Sequence, residues 1–188
     1  STPIISGGIP VNFPSCNNGT CTSATIDALP DQLMPRQFYV NDNRAVRARS
    51  NYDPALLNQA SNLDYVRVSN GYAPASGQSP APLTHPEWAE VVTTTQWKMM
   101  RCPISSAQGS TLVVESQCWN NANTYPEPWN FQLLSWIENA PEYLTQPNMW
   151  FLNPSSKKLQ YTPPLGSTTL NGMLPVLETL ISLSGQAG

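Results

Sequence analysis

The sequence predicts an all-β protein, an antiparallel β-sandwich or barrel-like domain with long Pro-rich loops and one or two short helices. Three observations predict it. The apolar runs are short, as strands require; they are punctuated by 19 Pro, 10 Gly and many Asn; and six Trp, seven Tyr and four Phe within a 40% hydrophobic chain supply the burial that a disordered segment lacks. At 188 residues there is material for one full core. The expected organisation is an extended arm or linker over residues 1–14 and a single β-rich domain over residues 15–188.

The arm holds Gly7, Gly8 and three Pro with no clear period, and could equally be an edge strand. Cys16 and Cys21 bracket Asn17-Asn18-Gly19-Thr20, a turn-forming tetrapeptide that can bring the two sulfurs into bonding range, so a small local disulfide is expected. The same segment contains an N-glycosylation sequon at Asn18, whereas Asn153-Pro154-Ser155 is disqualified by its Pro. Gln37 to Val40 reads as a strand followed by a turn at Asn41-Asp42-Asn43. Arg44, Arg47 and Arg49, with Asp42 and Asp53 nearby, read as a solvated loop or edge strand with local ion pairs. Asp53-Pro54 opens a short helix signal running to Ala60.

Leu63 to Ser69 alternates as a strand and ends at the turn dipeptide Asn70-Gly71. The tract from Tyr72 to Thr84 is rich in Pro, Ala and Ser, reads as a long loop, and is the first candidate for a functional surface, with Tyr72 as a binding residue. Glu90 to Trp119 is the best hairpin. Val91, Thr93, Thr95, Trp97 and Met99 share one face of its first strand, Leu112, Val114, Ser116 and Cys118 one face of its second, and the loop falls at Pro103 to Ser110. With Ile104 opposite Thr111, Cys118 lies opposite Trp97 and not opposite Cys102, so Cys102 and Cys118 read as buried thiols.

Beyond Trp119 the chain is aromatic and Pro-rich. Most of the Trp residues belong in the core, but Tyr125 and Trp129, flanking Pro126 and Pro128, are expected at the surface within a second contact segment, Asn120 to Trp129. Phe131 to Ile137 suits a strand or one buried helical turn, and Met149 to Leu152 a short strand. Leucines at 174, 177, 180 and 183 suit a short helix or an apolar strand equally.

A net charge of -3 with nine Lys plus Arg argues against nucleic-acid binding, which neutralises phosphates. No apolar run reaches the roughly 18 residues of a membrane span, so membrane insertion is not expected. The start at Ser1, without Met or leader, suggests a processed product or an excised fragment. His85 is the only histidine, G-x-S-x-G is absent, and no phosphate loop or dinucleotide fingerprint occurs, so no catalytic residue, cofactor or enzyme activity is expected. Asn41-Asp42-Asn43 with Asp53 could offer oxygen ligands to calcium, but Asx turns explain the same residues, and no metal is expected. Glu87, Glu90, Glu115, Glu127, Glu138 and Glu142 form the pool for a glycosidase-type carboxylate pair, which carries no local motif.

The low charge, the richness in Pro, Thr, Asn and Gln, the arm at Thr2 to Pro14 and the long polar loops together resemble the protruding, or spike, domain of capsid proteins from small non-enveloped RNA viruses of the nodavirus-like and tetravirus-like kind. That resemblance implies a surface projection on the virion, homo-oligomeric self-association about a symmetry axis, and attachment to a host receptor or glycan. The alternatives are a secreted, extracellular carbohydrate-binding or adhesion module, and a hydrolase without a visible motif.

Overall fold

A computed structural model describes residues 6–31, 33–50, 64–94, 98–124, 131, 133–177 and 179–181. Its strands in chain order are β1 (Gly8–Val11), β2 (Ser15–Asn17), β3 (Thr20–Thr22), β4 (Tyr39–Val40), β5 (Asn43–Arg44), β6 (Val46–Arg47), β7 (Tyr65–Val68), β8 (Gly71–Pro74), β9 (Glu90–Thr94), β10 (Met99–Gln108), β11 (Thr111–Val114), β12 (Trp136–Glu138), β13 (Met149–Asn153), β14 (Lys158–Thr162) and β15 (Gly172–Pro175); among the described residues they are joined by an α-helix, α1 (Ser116–Ala122), and short 3-10 turns at Pro86–Trp88 and Pro141–Tyr143. The protein is all-β, its sheets antiparallel apart from a short parallel contact of β6 with β13. It divides into two compact units, residues 1–47 with 146–188 and residues 48–145.

The first unit contains a four-stranded sheet ordered β1-β15-β4-β5 and a five-stranded sheet ordered β2-β3-β14-β13-β6. Alternation turns Leu159 and Tyr161 of β14 inward, while β13 is buried on both faces. Phe38, fully buried, is the hub: its ring centroid lies 5.8 Å from that of Trp150, 5.9 Å from Tyr161 and 6.1 Å from Phe13. Gly172 in β15 admits no side chain, because a Cβ there would stand 2.8 Å from the Val11 carbonyl oxygen and 3.0 Å from Phe38. Within the segment 1–14, β1 is an edge strand bearing Pro10, and it pairs with β15 from Gly8↔Pro175 to Val11↔Gly172. Asn41 and Asp42, at φ 50° and 64°, form the two-residue turn between β4 and β5. Arg47 is buried with its guanidinium 5.9 Å from the Trp150 ring, which corrects the expected solvated loop; an aromatic face accepts a guanidinium that water would otherwise hold.

The second unit is built on a six-stranded sheet ordered β12-β9-β10-β11-β8-β7. Val91, Cys102, Ile104, Leu112, Val114 and Ile137 face its core, together with Tyr72, Trp119 and Phe131. The expected hairpin is two hairpins. β9 pairs with β10 from Thr94↔Met99, and β10 with β11 through a tight turn at Gly109-Ser110, in a register that sets Ile104 opposite Val114 and not Thr111. Trp97 and the helix signal at 54–60 lie outside the described residues. After Val114 the strand gives way to α1, because both carboxylate oxygens of Glu115 accept backbone amides, from Gln117 at 2.8 Å and Cys118 at 2.7 Å, and nucleate a turn. That turn carries Cys118 back to Cys102, and the two form a disulfide, which corrects the reading of both as thiols. Closing a loop of 16 residues this way is worth about 3 kcal/mol in the chain-entropy model. Phe131 to Ile137 contributes only its end to a strand, β12, and past β15 Leu177 and Leu180 are exposed.

Candidate functional site

The sequence-selected site residues scatter. Tyr72 lies in β8 and not in the loop; it is fully buried, stands edge-on to Trp119 at 5.7 Å and has its hydroxyl 3.3 Å from that of Thr93. Its burial pushes the phenol up to about 12, with the Thr93 contact opposing. The strand persists to Pro74 because β11 pairs with β8 only at Gly71 and Tyr72, so the missing N–H falls beyond that ladder. The ring therefore offers no surface. Tyr125 and Trp129 lie outside the described residues.

The carboxylates of the pool separate into structural settings. Glu115 is the helix cap, and the amides of Cys118 and Gln117 hold its carboxyl below the usual glutamate range. Glu90 and Glu138 stand directly opposite one another on β9 and β12, both 4% exposed. Glu138 accepts from Arg101 Nε at 2.8 Å with one oxygen and from Trp136 Nε1 at 3.0 Å with the other. Arg49 sits 4.4 Å over the Trp136 ring and bridges to Glu138 through the backbone, again within a buried charged face where a solvated loop was expected. At the surface of the same unit His85 stacks on Trp88 at 3.6 Å and lies 3.0 Å from Glu87, while Glu142 accepts the Thr84 amide at 2.7 Å. Burial raises the Glu142 carboxyl, but the Thr84 bonds, its own amide and the nearby His85 outweigh this and leave it below the usual range. Glu127 is outside the described residues.

A concave site of ligand size occurs in the first unit, a cavity of about 340 Å³. The hairpin β2–β3 forms one wall, through Gly19 and the Cys16–Cys21 disulfide. Asn18 is exposed at the tip of that hairpin, φ 49°. Pro163, Ser167, Thr168 and Leu170, which follow β14, form the other wall, and Phe13 closes the apolar side. The pairing of β3 with β14, Tyr161↔Cys21, brings these distant segments together. Phe13 is half-buried and braced from behind by Phe38 and Tyr161, the latter at 6.0 Å. Among the described residues the lining carries no charged side chain, so its chemistry is an aromatic ring, two apolar side chains, a disulfide and two hydroxyls. None of Phe13, Ser167, Thr168 or Leu170 stood out in sequence; only the sheet pairing relates them. Among the described residues no group of three or more His, Cys, Asp or Glu could hold a metal ion.

Comparison with known proteins gives two matches. A family model described as "GH141 insertion domain" matches residues 23–164. A solved structure titled "Glycoside hydrolase" superposes with a TM-score of 0.71 at 20% identity, over 96% of this chain and 33% of that one. The chain thus spans about a third of the length of that structure. No curated protein matches. These findings overturn the expectations of a viral capsid protrusion, of host attachment from a virion and of a protein that is not an enzyme, since the family model points instead to a glycoside hydrolase family. The physical reason for the error is that low charge and Pro-rich loops describe a neutral, rigid surface, which many β domains share, while glycosidase carboxylates leave no local motif.

Proposed function

The chain belongs to the GH141 insertion-domain family, and from that premise we propose that it serves a glycoside hydrolase as the part that holds the glycan substrate. The observation that carries this reading is the family match, which runs through both compact units. The fold supports it. An inserted domain must receive the chain and return it at neighbouring points, and β1 and β15, paired Gly8↔Pro175, do this. Composition supports it too: with 11% charged residues, the surface can meet a polyhydroxylated, neutral partner without desolvating many ions. Of the earlier alternatives, carbohydrate binding is the one retained, now in the service of an enzyme.

Affinity electrophoresis of the chain through gels containing neutral or acidic polysaccharides tests the proposal. Retarded migration in at least one gel, reversed by soluble oligosaccharide, is expected. Unchanged mobility in every gel contradicts it.

A further inference from the structure

We infer that the cavity between the β2–β3 hairpin and the segment after β14 is a subsite for a neutral pyranose, seated on Phe13 and excluding uronic acids and other anionic sugars. The inference rests on the glycan-holding reading above and assigns it a place and a ligand class.

A pyranose presents an apolar face of C–H groups and an equatorial rim of hydroxyls. It needs an aromatic platform and a few polar groups at the edge of a concave site. Phe13 provides the platform. Its ring is half-exposed and held by Phe38 and Tyr161, so stacking a sugar on it orders nothing new. Ser167 and Thr168, both exposed, provide the hydroxyls at the rim, and the Ser167 hydroxyl is already oriented by donating to the Pro164 carbonyl at 2.8 Å. A volume of about 340 Å³ admits one or two sugar rings.

The opposite wall is made rigid by chemistry. β2 is an edge strand with all three residues exposed, so no side-chain burial fixes it. Its hold on the sheet is the pairing with β3 and the Cys16–Cys21 disulfide, whose two residues are part of the cavity wall. Gly19, at φ 81° with nothing within 4 Å of where a Cβ would stand, keeps the rim low and leaves the mouth open.

Selectivity follows from the lining. Among the described residues no Lys or Arg lines the cavity, so a uronate carboxylate would surrender its hydration with no cation there to receive it. Among the described residues no Asp or Glu lines it either, so a protonated amino sugar meets no counter-charge there.

Titration of the isotopically labelled chain with cellotetraose, mannotetraose and tetragalacturonate, followed by amide chemical shifts, tests the inference. A neutral tetrasaccharide should move the amides of Gly19, Ser167 and Thr168. Thr168→Arg, at an exposed position that the fold does not need, should fill the mouth and weaken binding at least about tenfold, and Phe13→Leu should do the same by removing the platform. A neutral glycan that shifts only amides elsewhere, or binds Thr168→Arg undiminished, overturns the subsite and leaves the proposed function standing. Equal binding of tetragalacturonate overturns the ligand class. If none of the three sugars nor any polysaccharide gel registers binding, the proposed function falls as well.

Discussion

Replacing Arg101 with Met tests whether the buried charged face of the second unit is held by ion pairing. The substitution keeps chain length and volume but removes the guanidinium from Glu138, whose side chain is 5% exposed. Taking one partner from a buried pair costs about 3 to 5 kcal/mol, because a desolvated charge is left behind. Two features set the value toward the lower end: Arg101 is itself 23% exposed, and Glu138 keeps its bond from Trp136 Nε1. We expect a loss of about 3 kcal/mol, equivalent to roughly 6 to 12 °C in the melting temperature of a protein this size. Since the chain divides into two units, the loss should be read locally, by hydrogen exchange at the amides of Val91, Val92 and Ile137, which lie in the β9 and β12 ladder. The double variant Arg101→Met/Glu138→Leu should recover most of it, as both charges are then gone. A single-variant loss under about 1 kcal/mol would mean that Glu138 reaches water, and the account of this face would be wrong.

Other consequences are as direct. In denaturant without reductant, alkylation should modify none of the four Cys, since all are bonded; in denaturant with reductant it should modify all four. Cys102→Ser/Cys118→Ser should cost about 3 kcal/mol, and a loss near zero would mean that α1 holds its place without the bond. Tyr72→Ala should cost about 3 to 5 kcal/mol as a core truncation; a loss below about 1 would place the ring at the surface after all. Tyr72 and Tyr65 are both pushed up to about 12 from 10.0. A raised folded value means that their contribution is complete below pH 10 and is lost as pH climbs toward 12, so stability should decline across that window and less so in Tyr65→Phe. Glu115 and Glu142 are lowered from 4.5, so the stability they contribute is present above that pH and is lost as pH falls through the folded values; Glu115→Gln should flatten the acid limb.

Strand chemistry was the legible part of this chain. Leu63 to Ser69 and Met149 to Leu152 read as strands and supply β7 and β13, and Asn70-Gly71 announces its turn. Elsewhere the structure departs from the local pattern because non-local pairing decides it. Val114 to Cys118 continues an alternation on paper, yet the carboxylate of Glu115 finds two amides to cap and the chain turns into a helix, bringing Cys118 to Cys102. Pro74 suggests a loop, but a Pro at the end of a short ladder is tolerated, so Tyr72 stays in the sheet. Arg47 and Arg49 look solvated until Trp150 and Trp136 are seen beneath them. The cavity was less legible still. Phe13 and Thr168 are brought together by the pairing of β3 with β14 and by nothing in their own neighbourhoods.

The most direct test of the central claim, that this chain holds glycan for a glycoside hydrolase, is a kinetic comparison. In a hydrolase that carries the domain, the segment between the paired residues Gly8 and Pro175 would be replaced by a short Gly-Ser linker, which their adjacency in the sheet permits. The predicted result is a KM for the polymeric substrate raised about tenfold or more, with kcat and KM on a small aryl glycoside unchanged, because binding remote from the reacting bond has been removed. Polymer and aryl glycoside kinetics that both stay unchanged, or that are both abolished, would contradict the claim.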